Sequence, residues 1–168
     1  PGWARGMPVP GDLYRYADEA GGEPSFNVAG RIEKPEIEQG YAVFTRAWQP
    51  GDAIEMVLPM PVRRIEAHPS VKDDAGRIAI GRGPLVYCIE GADNGGTALD
   101  LVLPDGGDMR VQHLSDLLGG VTMIRGPGIR LSRGERDAVS EAPATLTFIP
   151  YYAWCHRGPN PMTVWVPR

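Results

Sequence analysis

The sequence predicts an all-β fold built as an antiparallel β-sandwich, and three features predict it. Turn residues are dense: 22 glycines and 17 prolines among 168 residues punctuate the chain too often for long helices. Between them lie short runs of β-branched and aromatic residues, with turn signals at intervals of about 8–12 residues, the spacing of sandwich strands. No stretch longer than two turns shows the apolar period of an amphipathic helix. The expectation is one complete sandwich, residues 66–168, preceded by part of another, residues 1–65.

The elements follow in order. Residues up to Gly30 are rich in Gly, Pro and acids and read as exposed loop, with a short strand at Ser25–Val28. Tyr41–Arg46 is a strand of β-branched and aromatic residues, and Pro50-Gly51 is a type II turn signal. Ile54, Met56 and Leu58 alternate with Ala53, Glu55 and Val57, which predicts one buried face. Residues 41–58 therefore read as a β-hairpin with Trp48 at its corner. Pro59-Met60-Pro61 breaks the pattern, Val62–His68 resumes it, and a soft boundary falls over 59–69.

Arg77–Ile80 and Leu85–Ile89 flank a tight Gly81-Arg82-Gly83-Pro84 turn. The second is the most continuous apolar run, so it is expected to be a central strand buried on both faces. Strands are predicted at Leu99–Leu103, Met109–Leu114, Val121–Ile124, Thr145–Ile149 and Thr163–Val166. Residues 132–143 are polar and read as an exposed loop.

Bulk composition excludes some functions. Hydrophobic residues make up 42% of the chain, enough for a core. The net charge is −4, and Arg63, Arg64, Arg125, Arg130, Arg133 and Arg136 are interspersed with apolar or acidic residues. No nucleic-acid footprint results. No apolar run approaches the roughly 20 residues that span a bilayer, so no membrane partner is expected. A chain opening at Pro1-Gly2-Trp3 reads as a piece of a longer protein, with cytoplasmic residence as the working expectation. Cys88 and Cys155 are expected as separate, buried thiols.

Several segments carry a resemblance. They are Met60-Pro61-Val62-Arg63-Arg64, Gly81–Glu90, Asp93-Asn94, Pro150–Trp154, Arg157-Gly158 and Met162–Trp165. Pro1-Gly2-Trp3-Ala4, Gly40-Tyr41, Arg46-Ala47-Trp48 and Gly51-Asp52 join them in register. Together they resemble the C-terminal part of the bacterial β-L-arabinofuranosidase family of glycoside hydrolases, over nearly the whole chain. That family implies an (α/α)-barrel catalytic domain followed by two β-sandwiches. It also implies a zinc-bound cysteine nucleophile with glutamate and further cysteine ligands, all on the barrel. None of this machinery maps onto the present chain, so no cofactor is expected on it. The implied partner is the catalytic barrel, and an open sheet edge makes a homodimer a second expectation. One departure is Ala29-Gly30, where Asn-Gly would be usual.

Reactive constellations are weighed against plainer roles. Zinc wants three or four ligands, and Cys88, Cys155, His68, His113 and His156 show no ligand spacing. Cys155 and His156 are adjacent, so on a strand they face opposite ways, which disfavours a nucleophile–base pair. Glu90 with Asp93, or Asp73 with Asp74, could be proposed by proximity as a carboxylate pair for sugar hydrolysis. Asp73 and Asp74 read as solvated, and Glu90 as an acceptor for loop amides. Gly81-x-Gly83 is a turn, since no helix follows to hold a phosphate. The candidate sugar or domain-interface contacts are Tyr151, Tyr152, Trp154, His156 and Arg157. The favoured role for Trp154 and one of the tyrosines is core packing. The alternative is a carbohydrate-binding module stacking sugars on this aromatic group. Trp3, Trp48 and Trp165 are likewise expected in core or interface.

Overall fold

The computed structural model describes residues 1–9, 11–19, 21–135 and 138–168. Its first seven strands are β1 Tyr14–Tyr16, β2 Ser25–Val28, β3 Arg31–Ile32, β4 Glu36–Glu38, β5 Tyr41–Val43, β6 Ile54–Val57 and β7 Val62–Ala67. There follow β8 Arg77–Arg82, β9 Leu85–Glu90, β10 Leu101–Val102, β11 Arg110–Leu114 and the long β12 Val121–Arg133 and β13 Val139–Pro150. Two short strands, β14 Met162–Thr163 and β15 Val166–Pro167, close the chain. The fold is all-β, antiparallel and consistent with a sandwich.

Ten strands form one sheet in the order β1-β7-β8-β9-β13-β12-β10, with β11 also on β12, β14 on β9 and β15 on β8. The turn expected at Gly81–Pro84 joins β8 to β9, placing Arg82 opposite Leu85. Gly83 sits at φ 58°, and a Cβ there would lie 2.5 Å from Met60 Cε. The left-handed backbone favours glycine at this point, and any larger residue would also have to push the Met60 side chain aside.

Strand β9 is buried on both faces from Tyr87 to Glu90, as its apolar run predicts, while Val86 at its start is exposed. Alternation sends Tyr87 and Ile89 to one side, where they pack with Ile80, Ile124, Leu146 and Phe148. Leu101, Leu103 and Val166 close that core from beyond the central strands. Cys88 points the other way, into a smaller cluster with Val121, Met123, Ile149 and Ala153. Each large apolar side chain so buried stabilises the fold by roughly 1.5–3 kcal/mol relative to exposure.

Residues 25–57 form two small sheets, β3-β2-β6 and β4-β5. Here the structure corrects the expected 41–58 hairpin. Pro50-Gly51 does turn, with Gly51 at φ 93° and the Asp52 N–H donating to Gln49 O at 3.0 Å. Its flanks do not pair: β5 pairs β4, and β6 pairs β2. Alternation specifies a strand but not its neighbour. Hairpins lie instead at Ala29-Gly30, both at positive φ (48° and 81°), joining β2 to β3, and at Gln39-Gly40 (49° and 87°), joining β4 to β5. Phe26 and Val28 are buried, and Phe44 meets Phe26 edge-on at 5.4 Å. Ile32, Ile37, Tyr41, Ile54, Met56 and Val57 are exposed, so the face expected to be buried on β6 is open.

Two further expectations are corrected. Much of 132–143 is strand: β12 runs to Arg133 and β13 starts at Val139, with those residues opposite one another. This end of the hairpin is largely exposed, so it lacks the apolar alternation that marks a half-buried strand. Arg136 and Asp137 of that segment lie outside the described residues. The predicted 163–166 strand is divided, β14 on β9 and β15 on β8. Between them Trp165 stacks on Tyr14 of β1 at 5.7 Å, and its carbonyl accepts from Arg77 Nη1 at 3.1 Å.

Candidate functional site

The five candidate residues lie where β13 ends. Pro150 completes the ladder opposite Tyr87, and Tyr151–Ala153 then forms a single 3₁₀ turn. That turn breaks strand alternation, and Ala153 becomes the residue that enters the core. Tyr151, Tyr152 and Trp154 are left 47%, 58% and 37% exposed, which corrects the expected core role of Trp154. Cys155 and His156 are exposed as well, correcting the expected burial of Cys155. Of the remaining tryptophans, Trp48 is also exposed, beneath the Arg46 guanidinium at 5.2 Å.

Arg157 fixes this loop to the sheet. Its Nη1 donates to Asp93 Oδ1 at 2.8 Å and its Nη2 to Asp93 Oδ2 at 2.5 Å. Nη2 also donates to Glu90 Oε2. The Glu90 side chain is 0% exposed, and its Oε1 accepts the Cys155 backbone N–H at 3.2 Å. Asp93 hydrogen bonds, opposed by burial and reinforced by Glu90, hold Arg157 above its ordinary pKa. A buried carboxylate without such a partner would be strongly destabilising.

A buried amide braces the same corner. Asn94 Nδ2 donates to the Glu90 and Thr147 carbonyls, both at 2.9 Å, and its Oδ1 accepts the Thr147 N–H at 2.9 Å. It thus bridges β9 and β13 just beyond their ladder. Arg130 extends the network, donating to Asn94 O and to Asp100 Oδ2, each at 2.8 Å. Sequence reasoning missed Asn94 and the Glu90–Arg157 pair, because their partners lie 53 and 67 positions away.

The chemistry open to these groups is narrow. Glu90 offers no surface to a sugar hydroxyl, and both Glu90 and Asp93 are engaged by one guanidinium. Burial first, then the Glu90 charge, pushes the Cys88 thiol up to about 12, so it stays protonated near neutrality. His156 has no ring hydrogen bond among the described residues, so nothing orients it toward Cys155. His68 Nδ1 meets Ser70 Oγ at 2.7 Å and His113 Nδ1 meets Thr122 Oγ1 at 3.2 Å. No group of three metal-ligating side chains converges among the described residues. Asp74 lies on a 3₁₀ turn, its pKa raised by burial and by Asp73. Tyr151 and Trp154 stack on each other at 6.1 Å and 18°, rather than forming a flat open row for sugar rings. The carbohydrate-binding alternative is not favoured.

A second feature belongs to the small sheets. A cleft of about 940 Å³ is lined by Trp3, Tyr16, Phe26, Ile32, Met56 and Arg63, among others. Arg63 lies over the Tyr16 ring at 3.8 Å and donates to the Asp18 carboxylate and carbonyl, so its charge is spent within the chain.

Fold and site define a class: an antiparallel all-β unit whose buried polar groups, Glu90 and Asn94, bind its own loops to its strands. The chain belongs to the family described as glycoside hydrolase family 127 C-terminal domain, whose model matches residues 62–167. It is similar to a non-reducing end β-L-arabinofuranosidase of Bifidobacterium longum subsp. longum, 34% identical over 100% of this chain and 25% of that protein. A solved GH127 β-arabinofuranosidase superposes with a TM-score of 0.94 and 38% identity, over 99% of this chain and 26% of the other. A GH127 β-L-arabinofuranosidase from Geobacillus stearothermophilus T6 gives 0.77 and 36%, over 86% and 24%. The chain spans about a quarter of the length of the curated relative it matches.

Proposed function

We propose that this chain is a non-catalytic C-terminal accessory region of a β-L-arabinofuranosidase-like glycoside hydrolase, and that it supports that enzyme's catalytic barrel. Coverage carries the reading: the whole chain aligns to a quarter of a β-L-arabinofuranosidase. In this reading residues 1–65 are part of a first sandwich and 66–168 are the second. Support for a docking role comes from Ile32, Ile37, Tyr41, Ile54, Met56 and Val57, an exposed apolar set on sheets too small to form a core of their own. The rest of the hydrolase covers this face, and a second copy takes its place when the chain is isolated.

The zinc that the family resemblance puts on the barrel does not fit this chain. Cys88 is enclosed by the core and Cys155 is outside it, with no converging ligand set among the described residues. The test is hydrolysis of a chromogenic β-L-arabinofuranoside by the isolated chain and by a longer protein that contains it. The longer protein is expected to turn over and the isolated chain to give the buffer rate. Turnover by the isolated chain that disappears in Cys155→Ala would overturn the assignment.

A further inference from the structure

A second polar constellation lies on β11 and β12, away from the Arg157 corner. The antiparallel register places Arg110 directly opposite Arg125, with Thr147 of β13 next in the same row. Residues opposite one another in a ladder project from the same face, so the two guanidiniums are cross-strand neighbours. Both residues are exposed, and neither forms a hydrogen bond or ion pair among the described residues. Every nearby arginine of the two long strands is committed: Arg130 binds Asp100 and Asn94, and Arg133 has a partner. Among the described residues Arg110 and Arg125 face each other with no acceptor.

Like charges directly opposite in a sheet repel and destabilise it. An oxyanion bridging them reverses the sign of that interaction. Guanidinium suits such a ligand, because its planar fork matches carboxylate and phosphate oxygens and it is more weakly hydrated than an ammonium group. The space is present too. A cleft of about 540 Å³ is lined by Arg110, Arg125, Gln112, Thr145 and Asp108, with Val111 and Gly126 completing it. Gln112 and Thr145 supply a neutral amide and a hydroxyl. Asp108 is the one carboxylate on the rim and contacts neither guanidinium.

We propose that this cleft binds a compact oxyanion, a carboxylate or phosphate group, held between Arg110 and Arg125. The site is independent of the accessory role and of sugar hydrolysis. The test uses the 168-residue chain, with arginine Nε–Hε signals followed by NMR during titration with inorganic phosphate and, separately, with glucuronate. Sodium chloride at matched ionic strength is the control. The Arg110 and Arg125 signals are expected to move together along a saturating curve for at least one probe. Saturation by phosphate alone, or by glucuronate alone, identifies which oxyanion the cleft takes. Arg125→Gln and Arg110→Gln are each expected to weaken that binding about tenfold, the loss of one charge-assisted contact. Both residues are exposed, so the backbone amide spectrum should be preserved. Linear drift with both probes, equal shifts with chloride, or an unchanged curve in either variant would overturn the proposal.

Discussion

Replacing Arg157 with methionine would leave the Glu90 carboxylate enclosed with only one backbone N–H to satisfy it. The expected loss follows from the geometry. Glu90 is 0% exposed and Arg157 is 21% exposed, so solvent screens the pair little. Breaking a buried ion pair from one side typically destabilises by about 3–5 kcal/mol. Retention of part of the aliphatic stem by methionine argues for the lower end, about 3 kcal/mol. At roughly 2–4 °C per kcal/mol for a chain of this size, Tm should fall by about 6–12 °C. Glu90→Gln should be milder, because Asp93 keeps its two bonds to Arg157. In the double variant the arginine loss should shrink, since only the part-exposed Asp93 carboxylate then goes unmatched. Urea unfolding of the four proteins closes the cycle. An Arg157→Met loss under about 1 kcal/mol, or one equally large in the Glu90→Gln background, would refute the claim that this pair holds the 151–158 loop to the sheet.

Other expectations concern the thiols and the open face. Between the ordinary thiol value of 9.0 and about 12, folding keeps Cys88 protonated while unfolding releases its proton. Its contribution is therefore complete below pH 9 and declines by up to about 1.4 kcal/mol per pH unit toward 12, a slope that Cys88→Ala should remove in alkaline melts. A disulfide reagent at pH 7.5 should correspondingly titrate one thiol, Cys155, in the native chain and two after denaturation. Met56→Asp should lower self-association of the isolated chain, read by sedimentation velocity, while changing stability by less than about 0.5 kcal/mol. Equal association by the variant would separate that face from the interface.

Much of the fold is legible in the residues. The Gly-Pro punctuation locates turns, and the unbroken apolar run Leu85–Ile89 declares a central strand, buried on both sides from Tyr87 onward. The segment 41–58 shows where such reading stops. Its two strands and its Pro50-Gly51 turn are present, but the strands pair with β4 and β2. A period of two is satisfied by any antiparallel neighbour. The exposed end of the β12–β13 hairpin shows the converse, since strands held mainly by ladder bonds leave little hydrophobic trace. Tyr151, Tyr152 and Trp154 stand out in the sequence as a group, but strand alternation sends Trp154 inward. The one-turn 3₁₀ segment after Pro150 shifts which residue meets the core, and Ala153 takes that place.

By itself the sequence determined the β class, the position of several strands such as Val62–Ala67 and Leu85–Glu90, and the family through motifs in register. Only the folded chain decided which strands lie side by side, which faces stay open, and that Arg157 closes over Glu90 and Asp93. Local patterns are set by backbone geometry within a few residues. An ion pair between positions 90 and 157, or an arginine placed opposite another, exists only after the sheet has chosen its order.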